Sequence, residues 1–204
     1  MSEQTLTPDA TQQNSVTPKL LAILASVRPG RVGLPVAEWF SHRVREHGGF
    51  DLELVDLADG ALPPLDEPNH PRLRRYTQEH TRTWSAIVDS AAAVAIITPE
   101  YNHGYPASIK NALDYLNQEW RHMPLGFVSY GGVSAGTRAV AQLRQVTGAL
   151  GMIPVATAVT IPFVAQLLKD GEVEGNETMD GAATAMLDEL TELYRVLGQL
   201  RVHA

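Results

Sequence analysis

The chain has 204 residues, enough for one well-buried domain, and its formal net charge of -7 argues against a general affinity for nucleic acid or anionic membrane. It contains no cysteine, which excludes disulfides, thiol nucleophiles and thiolate metal sites and fits a cytoplasmic protein. No apolar run reaches the length of a membrane span, no basic-then-apolar signal segment is expected at the N-terminus, and the polar first 18 residues read as a flexible tail before a domain spanning 19–204.

The domain starts with a continuous apolar run at 20–25 (LLAILA), the pattern of a strand buried on both faces. The loop SVRPGRVG follows. It sets the hydroxyl of Ser26 and the guanidinium groups of Arg28 and Arg31 ahead of a helix expected over 32–47. Two arginines at a helix N-terminus oppose the helix macrodipole, and that conflict, together with unpaired backbone N–H groups, points to an anion such as phosphate. The loop lacks both GK[ST] and GxGxxG, which disfavours a nucleoside triphosphatase and an ordinary dinucleotide-binding dehydrogenase. Residues 51–57 (DLELVDL) alternate and read as an edge strand, and the four prolines within 61–71 mark an irregular loop on its ligand side. The basic stretch that opens the next helix, expected over 72–90, holds Arg72, Arg74 and Arg75, which suit a second ligand, a partner subunit or a solvated helix face.

A third strand at 92–98 (AAVAIIT) runs into Pro99, which cannot donate to a sheet ladder and is expected to end it. Glu100, Tyr101, Asn102 and His103 then form a compact polar and aromatic turn before Gly104, Pro106 and a helix over 107–120. Glu100 reads as a carboxylate satisfied by nearby donors rather than as a general base, and His103 as a ligand-facing donor or a bystander. The fourth strand, 125–129, leads to Ser129, Gly131 and Gly132, whose backbone donors suit the carbonyl edge of a planar ligand. Residues 132–136 (GVSAG) also match the nucleophile elbow of serine hydrolases, with His203 as the base. Against this, three residues separate the elbow from its strand, and Ser134 reads better as the N-cap of a helix over 134–150. A less bulky strand at 155–161 and a helix over 181–200 complete the chain.

Alternating strands and helices imply a parallel sheet covered on both faces, and the burial pattern puts the second and fifth strands at the edges. The expected fold is therefore an α/β, flavodoxin-like three-layer sandwich with a five-stranded parallel sheet of order 2-1-3-4-5. Three loops at the carboxyl ends of strands one, three and four would converge on one crevice, which suits a flat cofactor with a single phosphate tail.

The motifs ASVRPGRVG, TPEYNHGYPASIKNALDYL and SYGGVSAG, in this order and spacing, resemble the NADPH-dependent FMN reductase family with its quinone, azo and chromate reductase relatives; the likeness covers about residues 19–200. The resemblance implies that Ser26, Arg28 and Arg31 hold the FMN phosphate with Gly33 close by. It further implies that Pro99, Glu100, Tyr101 and Asn102 border the isoalloxazine ring and that Ser129, Gly131 and Gly132 face its pyrimidine side. The family's first loop often reads GSxRxxS, so Ala25 and Arg31 depart from it. By the same resemblance, NADPH or NADH donates hydride through FMN to a small acceptor, no catalytic side chain or metal is required, and the protein is a homodimer or homotetramer, with the proline-rich loop and Trp120 as candidate contacts. The other reading from the residues is a flavodoxin-type FMN-binding electron carrier without NAD(P)H turnover; the serine hydrolase stands third.

Overall fold

The computed structural model describes residues 17–60 and 62–201; the expected N-terminal tail and His203 lie outside the described residues, except for residues 17 and 18. Strand β1 (Lys19–Leu24), helix α1 (Gly33–His47), β2 (Asp51–Asp56), α2 (Glu79–Ser90), β3 (Ala93–Pro99), α3 (Ala107–Asp114), β4 (Pro124–Tyr130) and α4 (Thr137–Ala149) come first. They are followed by β5 (Ile153–Pro154), β6 (Val159–Ile161), the short hairpin β7 (Leu168–Lys169) and β8 (Glu172–Val173), and α5 (Glu177–Arg201). The sheet is parallel with the order β2-β1-β3-β4-β5, and β6 also pairs with β4.

Every residue of β3 and β4 is buried, as are Leu20 through Leu24 of β1, so these strands divide two apolar layers. On one face Leu20, Ala22 and Leu24 join Val36 and Phe40 of α1 with Met186 and Leu190 of α5. On the other, Leu21, Ile23, Ile96 and Phe127 meet Trp84 of α2, Leu113 of α3 and Leu143 of α4. Period-two alternation thus sends successive strand residues into opposite layers and leaves polar groups a place only at the strand ends.

Several expected boundaries move. The fifth strand is broken: after the Val155 N–H donates to the Leu125 carbonyl, residues 156–158 leave the sheet, where Ala156 and Thr157 donate their N–H groups to the Glu189 carboxylate of α5 at 2.9 and 3.2 Å. Helix α2 starts at Glu79 rather than 72, because Glu67 accepts from the N–H groups of Thr77 and Gln78 and fixes the preceding chain as a cap. Burial alone would raise the Glu67 pKa, but these bonds prevail and hold it at about 2. Helix α3 stops at Asp114, and Trp120 lies in a separate short turn, fully buried, with its indole N–H on the Leu113 carbonyl and its ring edge-on to Trp84. It belongs to the core, not to a subunit contact. Pro99 is the last residue of β3, opposite Tyr130, where the missing N–H does no harm. Helix α5 begins at Glu177, four residues earlier than expected.

Gly136, not Ser134, caps α4: its φ is 79°, and a Cβ there would lie 2.9 Å from Ser129 Cβ and 3.0 Å from the Tyr130 nitrogen. Gly136→Ala is therefore expected to cost about 2–3 kcal/mol. Gly148→Ala, in the same helix with open space around it, should be neutral or stabilise by about 0.5 kcal/mol. Urea unfolding of both variants measures the contrast; equal effects would contradict this account of the turn.

Candidate functional site

The loops after β1 and β3 meet in a cleft of about 550 Å³ at the carboxyl ends of the strands, lined by Val27 and Arg28 from the first and by Glu100, Tyr101, Asn102 and Pro106 from the second. The first loop turns where Arg31 N–H donates to the Arg28 carbonyl at 3.1 Å, with Pro29 and Gly30 at the corner. Gly30 has φ 67°, the Pro-Gly signature of a type II turn. The turn delivers the chain to α1, whose N-cap residue Val32 makes no side-chain cap bond and whose first turn holds no acidic residue. Its opening amides, Gly33 and Leu34, have no partner within the helix, and Pro35 brings none.

Ser26 is fully buried, its hydroxyl 2.6 Å from that of Tyr101. Arg28 is exposed at the cleft. Arg31 turns toward β2 and pairs with Asp56, and its Nε is buried with no partner among the described residues. Arg31 is thus already part-neutralised, which the loop sequence alone did not show. Gly33 lacks a side chain for packing reasons: a Cβ there would run into Tyr130 Oη and lie 2.9 Å from Leu24 Cδ1. Tyr130, absent from the sequence-based site, projects its phenol beneath α1 from the end of β4.

The turn after β3 is tight. Tyr101 and Gly104 exchange both N–H···O bonds at 2.9 Å, and Asn102 and His103 at the corners have φ 49° and 69°, the φ pattern of a type I′ turn. Asn tolerates this conformation; His does so less readily. The His103 carbonyl is held by Gln142 of α4 at 2.8 Å. Glu100 accepts from the guanidinium of Arg138 at 2.7 Å and from the Arg138 backbone N–H at 3.2 Å, in the first turn of α4. Burial pushes its pKa up, but bonds from Arg138 and Ser134 and the charge of Arg138 outweigh that and leave the carboxyl below its ordinary value. Glu100 is an anchor, not a base, and it fills the anion position of α4.

The glycine loop is engaged differently from the sequence-based expectation. Ser129 is fully buried, its hydroxyl directed to the Val159 carbonyl at 3.5 Å, and the Gly131 N–H donates to Ile161 at 3.2 Å. Both groups serve the sheet edge. Gly132 is exposed, and its N–H has no acceptor among the described residues. Ser134 lies in the turn after Gly132, several residues beyond the end of β4, so no strand-to-helix elbow presents it. Arg74 is removed from the cleft altogether. It pairs with Asp89 and Glu119 and borders a depression shared with Lys19 and Ala92, at the amino ends of the strands.

Helix α3 holds the proline-rich loop. Asn111 accepts from Leu65 N–H at 3.0 Å and donates to the Pro63 carbonyl at 2.8 Å, while the Tyr115 hydroxyl reaches the Pro63 carbonyl and Asp66. Burial, and then Asp66, raises the Tyr115 pKa to about 12, so the phenol remains a donor. Ser108 bonds the Ala25 carbonyl and ties the same helix to the first loop.

The Glu100 anchor has a pH signature. Its folded-state pKa lies below the ordinary 4.5, so its contribution is complete above that value and is lost as pH falls through the lower, folded pKa. The stability difference between wild type and Glu100→Gln should shrink on acidification through this window in denaturant titrations; a difference that stays constant would contradict the anchor.

The model of the NADPH-dependent FMN reductase family matches residues 18–166. An NAD(P)H-dependent FMN reductase of Schizosaccharomyces pombe is 39% identical over 190 residues, covering 91% of this chain and 86% of the relative. An FMN-dependent NADPH-azoreductase of Staphylococcus saprophyticus is 25% identical over 142 residues, covering 69% and 75%. Among solved structures, FerB, a flavoenzyme NAD(P)H:(acceptor) oxidoreductase from Paracoccus denitrificans, superimposes with a TM-score of 0.70 at 22% identity over 86% of this chain and 98% of that one. With its sheet order, its cleft and these matches in agreement, the chain belongs to the NADPH-dependent FMN reductase family of oxidoreductases.

Proposed function

We propose that this protein is an FMN-dependent oxidoreductase that takes hydride from NADPH or NADH and passes electrons to a small acceptor: a flavin, quinone, azo compound or metal oxyanion. The observation that carries the reading is the cationic, uncapped N-terminus of α1 at the edge of the cleft, set against the N-terminus of α4, which Glu100 already satisfies. Buried polar atoms without partners among the described residues, Tyr130 Oη and Arg31 Nε, cluster around that terminus, as expected where an anion completes the structure.

The residues fit FMN. Arg28, the Ser26 hydroxyl and the amides of Gly33 and Leu34 hold the phosphate, and the charge of Arg31 supports them from the Asp56 side. Pro99, Glu100, Tyr101 and Asn102 form the rigid border for the ring, and the Gly132 N–H serves its pyrimidine edge, where a backbone donor favours negative charge. When bound, FMN supplies the hydride acceptance and electron delivery, while the protein supplies position and exclusion of water. The protein acts as a cytoplasmic homodimer or homotetramer. Its cysteine-free composition and the exposed side chains of Val27, Leu65 and Leu73 support that part of the reading.

Purified protein supplied with FMN should show a bound-flavin spectrum that NADPH or NADH bleaches anaerobically. Bound flavin that neither nucleotide reduces would favour the electron-carrier reading, and a chain that neither binds FMN nor oxidises NAD(P)H would refute the proposal. Arg28→Ala should weaken FMN binding about 10-fold, read by flavin fluorescence quenching, with little change in thermal stability.

A further inference from the structure

Tyr130 poses a problem that the proposed function leaves unsolved. The residue is 4% exposed, and its hydroxyl is buried without a hydrogen-bond partner among the described residues. Leaving a buried hydroxyl unpaired is costly, and replacing it with hydrogen is nearly neutral, so an unpaired phenol in a core position marks a state of the site in which the group is paired. The hydroxyl lies against Gly33, at the first residue of α1, with Ser26 beside it and the charges of Arg28 and Arg31 near. Burial, and then Tyr101, pushes its pKa up against the pull of Ser26 and the arginines, so it stays protonated and keeps a proton to donate.

Ser26 is the shared neighbour. Its hydroxyl is fully buried and lies 2.6 Å from that of Tyr101. A serine hydroxyl donates one hydrogen bond and accepts others. An anion arriving at α1 takes the place of the Tyr101 hydroxyl as the partner of Ser26, and the serine proton then points to the anion. Ser26 Oγ keeps lone pairs with which to accept, and the donor beneath it is Tyr130.

We infer that Tyr130 is a positioning residue for the phosphate group: its O–H donates to Ser26 Oγ, and Ser26 O–H donates to a phosphate oxygen at the N-terminus of α1. The inference rests on the proposed FMN reading. It gives Tyr130 a role, accounts for the absence of a side chain at Gly33, and makes the Tyr101 hydroxyl the partner that yields when phosphate binds. Hydrogen bonds in such a chain reinforce one another, and removal of the outer donor therefore weakens the inner one.

The test compares FMN with riboflavin, which lacks the phosphate, by fluorescence quenching against wild type, Tyr130→Phe, Ser26→Ala and the double variant. The expected result is that Tyr130→Phe raises the Kd for FMN about 5-fold and Ser26→Ala about 10-fold, that the double variant loses no more than Ser26→Ala alone, and that riboflavin binding is the same in all four. Thermal unfolding of the flavin-free Tyr130→Phe variant should match or exceed that of wild type. The inference is overturned if FMN and riboflavin weaken together, if the two losses multiply, if FMN binding is unaffected, or if the variant melts lower. A wild-type chain that holds neither flavin would instead overturn the proposed function, and the inference with it.

Discussion

Burial of the central strands on both faces is the constraint on which the rest of this structure depends. From Leu20 in β1 and throughout β3 and β4 there is no solvent-facing side, so alternation can only choose between two apolar layers. Every group able to bind or react is therefore displaced to the strand ends. The carboxyl ends gather the three loops with polar and glycine-rich sequence, and the amino ends gather an ion-pair cluster that includes Arg74 and Asp89.

At the carboxyl ends, two helix N-termini with the same backbone chemistry are treated differently. α4 receives the Glu100 carboxylate on its Arg138 amide and guanidinium, so its dipole is satisfied from within the chain. α1 receives no side-chain cap among the described residues and is preceded by two arginines instead, one of them only partly balanced by Asp56. Glu100 thereby locks the turn after β3 to the loop after β4, and α1 remains the terminus that calls for an external anion. The Asn111 and Tyr115 bonds to the proline-rich loop make the same helix that follows the turn a brace for the neighbouring wall.

The sheet order and the meeting of the loops after β1 and β3 were legible in the sequence because apolar runs and Pro/Gly punctuation report directly on burial and turns. Burial in the core was harder to read for single aromatic residues: Trp120 belongs to the core because its indole finds the Leu113 carbonyl across a helix break that periodicity does not reveal. The partners of individual site residues were also hidden. Nothing near Arg31 in sequence announces Asp56, 25 residues on, and Ser129 and Gly131 share the glycine-rich motif with Gly132, yet sheet pairing with β6 uses them up. Tyr130 escaped because it sits between two residues read for their backbone, although alternation from Val128 does place it on the α1 face. The break in the fifth strand depends on Glu189, a contact from the far end of the chain.

The central claim is that α1, not α4, is the open anion site. A crystal structure of the protein with FMN tests it most directly. The account predicts the phosphate at the first turn of α1, within hydrogen-bond distance of the Gly33 and Leu34 amides and of Ser26, with Arg28 folded onto it and Glu100 still on Arg138. A phosphate lodged at the N-terminus of α4 with Glu100 displaced, or one bound away from both helices with Arg28 left in solvent, would contradict it.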